Sequence, residues 1–170
     1  FYNSGGVYVT SAGNSGHRHY SSTYNRSTDN VTVNGTDYYV HDYGGGDIGN
    51  TFNFPAGWGF LPVFQWNDLW GSSANDFDLY MMRQSDDEVL ASSTNVQSGN
   101  GNPWEAFYWA NHSNYYPDYD GNSVTVYLAV IEDNLVSQPS SMKLDYIAYG
   151  GSPEYVTFED SVIGHEAVEE

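Results

Sequence analysis

The densest group of oxygen-bearing side chains is Asn67-Asp68 followed by Asn75-Asp76-Phe77-Asp78. Alternate residues of an extended strand share a face, so Asp76 and Asp78 are expected on one side, with Asp68 in the loop before them. Glu105, after the Asn102-Pro103-Trp104 turn, is expected to join them. Such a set suits calcium, which accepts roughly 6–8 oxygen ligands at about 2.3–2.6 Å without strict octahedral geometry. The competing reading has Asp68 and Asp76 capping turns through Asx hydrogen bonds while Asp78 faces solvent. A second group, Asp118-Tyr119-Asp120-Gly121-Asn122, has the alternating oxygens and tight-turn glycine of a calcium loop. It lacks the flanking helices and the closing Glu of an EF-hand, and its plain reading is a polar hairpin turn. A third, weaker group sets His41 and Asp42 against Asp47 across Gly44-Gly45-Gly46.

Acid–base and nucleophilic chemistry finds less support. His17, His19, His41, His112 and His165 lie in polar or loop-like contexts, and neither Gly-x-Ser-x-Gly nor His-Glu-x-x-His occurs. No enzymatic activity is expected. Asn25, Asn30, Asn34 and Asn111 each open an Asn-x-Ser/Thr triplet, so N-linked glycans are a possible covalent decoration. Trp58, Trp70, Trp104, Trp109, Tyr115, Tyr116 and Tyr119 are aromatics that could stack on sugar rings, against the plainer expectation that large aromatics fill a sandwich core.

The chain that must position these groups has 170 residues, with 4 Lys+Arg against 22 Asp+Glu and a formal net charge of -18. A field of that sign repels a phosphate backbone or an anionic membrane, which excludes nucleic acid as a partner. The same self-repulsion opposes compaction, and bound divalent ions would relieve it. With 0 Cys there is no disulfide framework, thiol nucleophile or thiolate metal site. A composition of 39% hydrophobic and 17% aromatic residues is too apolar for disorder. No apolar run approaches the roughly 18 residues of a membrane helix, so no membrane insertion is expected. The chain opens at Phe1 without a signal-peptide pattern and reads as a processed or excised piece. Acidity, scarce Lys and many short acidic loops point to an extracellular, secreted protein living with calcium.

Apolar periodicity is two wherever it is strong. Val124, Val126, Leu128 and Val130 alternate with Thr125, Tyr127, Ala129 and Ile131, which predicts a central strand buried on both faces. Further strands are predicted at 7–10, 31–33, 38–40, 51–54, 61–66, 77–82, 89–92, 106–109, 143–149 and 155–158, separated by Gly, Pro, Asn and Asp. No sustained helical period occurs. The expected fold is all-β, a two-sheet β-sandwich of jelly-roll or Greek-key type with an extra N-terminal strand. Its organisation reads as an N-terminal strand and linker at 1–22, the sandwich at 23–160 and a charged tail at 161–170.

The run GVYVTSAGNSG (6–16) resembles the strand-to-loop segment of subtilisin-like serine peptidases, in which the Asn of Ala-Gly-Asn helps form the oxyanion hole; Asn14 is the matching position. VFQWNDLWGSSANDFDLYMM (63–82), SSTNVQSGNGNPWEAF (92–107) and DSVIGHEA (160–167) resemble the β-sandwich insert of some secreted bacterial members of that family, similar to pre-peptidase C-terminal modules. The resemblance implies a Ser in a Gly-Thr-Ser-Met helix start, a His in a His-Gly-Thr segment and an Asp at a strand end, and none of these motifs is present. An oxyanion donor without them has no attack to stabilise.

In such a peptidase the strand Val7, Tyr8, Val9 and Thr10 would lie inside a host sheet that this chain lacks. Left alone it exposes apolar side chains and unpaired backbone groups. It either becomes an edge strand of the chain's own sheet or pairs with the open edge of another copy, a head-to-tail contact that propagates into a filament. The leading expectation is a non-catalytic, calcium-binding structural module that partners itself by strand donation. The alternatives are a non-catalytic insert fragment of a subtilisin-like peptidase and a carbohydrate-binding module.

Overall fold

The computed structural model describes residues 18–139, 141–149 and 152–157. They form eleven strands and no helix: β1 (His19–Ser22), β2 (Arg26–Val33), β3 (Thr36–His41), β4 (Asn50–Phe54), β5 (Gly59–Trp66), β6 (Asp76–Arg83), β7 (Val89–Ser93), β8 (Trp104–Ala106), β9 (Trp109–Ala110), β10 (Val124–Asn134) and β11 (Met142–Tyr149). One sheet runs β1-β11-β5-β8, with β9 also on β5; the other runs β2-β3-β10-β6-β7, with β4 also on β10. All pairings between strands are antiparallel. The all-β two-sheet sandwich is therefore the fold.

Period-two patterning explains the layers. Val124, Val126, Leu128 and Val130 of β10 and Phe77, Leu79 and Met81 of β6 turn inward onto Phe60, Phe64 and Trp66 of β5. The alternate positions Tyr127, Ala129, Ile131 and Met82 face the other way and join Val31, Val33 and Val40 in a second buried cluster. That is why β10 reads as apolar on both faces. The β2–β3 hairpin closes through Asn34 and Gly35, both with positive φ (51° and 81°), the two-residue turn whose twist matches the flanking strands. Gly49 brings the β3–β4 loop against Tyr127: a Cβ there would lie 2.5 Å from the ring.

Several expectations shift. The polar stretch before residue 30, read as lacking core signal, contains β1 and the start of β2, so the sandwich extends into the segment expected as a linker. The signal at 106–109 resolves into two short strands, β8 and β9. Residues 155–157 form no strand; they cross the sandwich by individual bonds, Glu154 N–H to the Thr51 carbonyl at 3.0 Å and Thr157 N–H to the His19 carbonyl at 2.9 Å. Val7, Tyr8, Val9, Thr10 and Asn14 lie outside the described residues, as does the 161–170 tail.

Candidate functional site

Of the three acidic groups, the one at the start of β6 keeps carboxylate oxygens without partners. Phe77 and Leu79 point between the sheets, so Asp76 and Asp78 share the opposite face. Asp76 is 3% exposed; the Gln97 N–H donates to its carboxylate, yet Oδ1 has no partner. Asp78, 9% exposed, accepts no hydrogen bond from the described residues. Across the ladder β10 pairs Ile131 with Asp78 and Asn134 with Asp76, and the register shift between Glu132 and Asn134 leaves Asp133 as an extra residue facing them. Burial raises the Asp78 carboxyl to about 7, assisted by the charges of Asp133, Asp76 and Glu105. Burial likewise raises Asp76, with Asp133 and Glu105 adding to it and the Gln97 N–H opposing.

The other residues expected here have different work. Asp68 Oδ2 accepts from Ser73 Oγ (3.0 Å), Ala74 N–H (3.1 Å) and Asn75 N–H (2.9 Å), while Oδ1 accepts from Asn75 Nδ2 (2.8 Å). Burial opposes these bonds, and the bonds prevail, holding the Asp68 carboxyl below its usual range. It is an Asx-type organiser of the 68–75 loop. Fully buried Glu105 accepts from Ser93 Oγ, Asn95 N–H (3.2 Å), Asn95 Nδ2 (2.8 Å) and Gln97 Nε2 (2.8 Å), which fastens the β7–β8 loop. Gln97 itself is 4% exposed, and its Oε1 has no partner.

The second group is a turn. Asp120 accepts from Asn122 N–H and Nδ2, both at 2.9 Å, and Asp118 pairs with the Arg83 guanidinium at 2.8 Å. Arg83 also holds Asp86 and Glu88, so a cation already occupies this acidic edge. In the third group Asp42 Oδ1 accepts from Gly44 and Gly46 N–H at 2.8 and 2.9 Å, and Asp47 accepts from Gly49 N–H and the Tyr155 hydroxyl. Both carboxylates fold their own glycine loop. Among the described residues no three His, Asp or Glu side chains converge as a ready metal cage.

His41 stands nearest to a catalytic arrangement, because Ser22 Oγ lies 3.4 Å from its Nε2. The tautomer defeats it. Asn25 N–H donates to Nδ1 at 3.1 Å, so in the neutral ring the proton sits on Nε2, which then cannot accept one from Ser22. Burial, opposed chiefly by the charge of Asp42, lowers His41 to about 4. The ring packs among Tyr20, Tyr24 and Tyr43 as a neutral core residue.

Asn25, Asn30 and Asn34 are exposed, whereas Asn111 is 1% exposed and its Nδ2 donates to the Phe54 and Asn122 carbonyls. The expectation of a glycan at Asn111 is corrected: the acceptor nitrogen is inside the fold. Trp109 and Tyr116 are core, which removes them from any sugar platform; Tyr119 is half-buried, and Trp58, Trp70, Trp104 and Tyr115 remain exposed.

Asp133 and Gln97 were not anticipated. The polar run Glu132-Asp133-Asn134 breaks the alternation that precedes it, and that break was the available signal for a bulge. Nothing local marks Gln97, whose neighbours come from distant segments. Comparison of the chain with family models, with curated proteins and with solved structures found no match.

Proposed function

We propose that this chain is a secreted, non-catalytic β-sandwich with a structural role, joined copy to copy by donation of the N-terminal strand Val7–Thr10. The observation that carries the reading is the open edge of β2. Among the described residues β2 ends its sheet with eight residues and pairs only with β3. The β1 edge is sealed by Thr157, whose Oγ1 accepts from Ser21 N–H at 2.8 Å, and the β7 and β8 edges meet through Ser93, whose Oγ accepts from Ala106 N–H at 3.3 Å. An unpaired strand of this length is a template for another chain.

The hairpin register says which groups are free. With Val33 and Thr36 closing a two-residue turn as a hydrogen-bonded pair, Thr32 and Asn30 turn their N–H and C=O outward. Thr32→Pro removes one outward donor while leaving the β2–β3 ladder intact. The full chain is expected to form concentration-dependent oligomers and fibres, visible by sedimentation and electron microscopy. Thr32→Pro and deletion of residues 1–12 are each expected to leave monomers with unchanged β-sheet circular dichroism. A wild-type chain that stays monomeric at all concentrations contradicts the reading.

The likeness to the sandwich insert of subtilisin-like peptidases is compatible with a non-catalytic role, and the wrong His41 tautomer beside Ser22 supports it. A carbohydrate-binding reading rests on the exposed rings of Trp58, Trp104, Tyr108 and Tyr115, the last two 5.2 Å apart edge to face. Retardation in a polysaccharide affinity gel would favour it.

A further inference from the structure

We propose that Asp76 and Asp78 hold a calcium ion at the start of β6, with Asp76 Oδ1 as the anchoring oxygen and water completing the shell. The acidity of the region alone would not carry this, since the Asp68, Asp42, Asp47 and Asp120 carboxylates accept hydrogen bonds from their own loops. Asp76 differs. Its side chain is almost wholly buried, one oxygen has no donor, and its neighbour Asp78 has no donor among the described residues.

A buried anionic oxygen without a partner is costly, and here Asp76 Oδ1 shares a strand face with the Asp78 carboxylate opposite a third, Asp133. Arg26 and Arg83 are engaged elsewhere: Arg26 binds Glu132, and Arg83 binds Asp86, Glu88 and Asp118. A second orphan oxygen, Gln97 Oε1, belongs to the residue whose N–H holds Asp76. Its amide cannot profitably flip, because Nε2 must face Glu105. Buried oxygen without a hydrogen-bond donor and clustered negative charge are the conditions a hard divalent ion satisfies.

Two carboxylates on one strand face, completed by water, make a weak site. Its dissociation constant should fall near 10⁻⁴–10⁻³ M, on the order of other extracellular calcium modules. Magnesium, which surrenders water reluctantly, should bind less well.

The test is thermal unfolding of the full chain in chelator, in calcium chloride and in magnesium chloride at equal ionic strength. Calcium at about 10 mM is expected to raise Tm by roughly 3–6 °C beyond magnesium. Asp76→Asn and Asp78→Asn should each abolish that calcium-specific increment, whereas Asp120→Asn should retain it. Asp78→Asn should also raise Tm in chelator by removing a repelled charge, which distinguishes a lost site from a damaged fold. Equal shifts with both metals, or the full calcium increment surviving in either Asp76→Asn or Asp78→Asn, would overturn the proposal.

Discussion

His41 shows how a polar residue can serve packing. Nearly fully buried among three tyrosine rings, with Nδ1 accepting from Asn25 N–H, it is stable only as the neutral ring. Its folded value of about 4 lies below the unfolded value near 6.5, so the unfolded chain binds the proton first. Stability from this group is complete above pH 6.5 and is lost as pH falls towards 4, by about 3 kcal/mol in all. Asp78 has the opposite sign: its carboxyl, raised to about 7, costs stability as pH rises from about 4 through 7. The two slopes oppose each other. Denaturant unfolding in chelator of Asp78→Asn should therefore show stability rising from pH 4 to 6.5, and the added substitution His41→Gln should flatten that rise. An unchanged slope would mean His41 is solvated in the folded protein.

Strands succeed or fail here by what crosses their faces. Gly49 lets the β3–β4 loop lie on Tyr127, whose hydroxyl reaches back to Asp87 at 2.8 Å. Gly49→Ala should cost about 1–3 kcal/mol in urea unfolding, because both backbone and ring are confined. A neutral substitution would mean the loop lifts freely. The central strands β10 and β6 were legible in the sequence because their apolar period runs through Val124–Ile131 and Phe77–Met82 without interruption. β1 and the first half of β2 were not: His19, Ser21, Ser22 and Arg26 carry no alternation, and they are held by pairing with β11 and β3. Asp76 and Asp78 could be placed on one face from spacing alone. That Asp68 and Glu105 would turn their oxygens to Ser73, Asn75, Asn95 and Gln97 depended on loop conformations no periodicity encodes.

The molecule's net charge of -18 makes contact between copies dependent on ionic strength, since like-charged bodies must approach before any edge can pair. Only 4 Lys+Arg are available to offset it, and Arg83 alone serves three carboxylates. Association through β2 uses backbone groups, so it should strengthen as salt screens that repulsion. Amide hydrogen exchange followed across protein concentration at moderate salt reads this association at residue resolution. Protection at Asn30 and Thr32 should rise with concentration while the amides of β10 stay equally protected throughout. Rapid exchange at Asn30 and Thr32 that is the same at every concentration would contradict a role in joining copies through this edge.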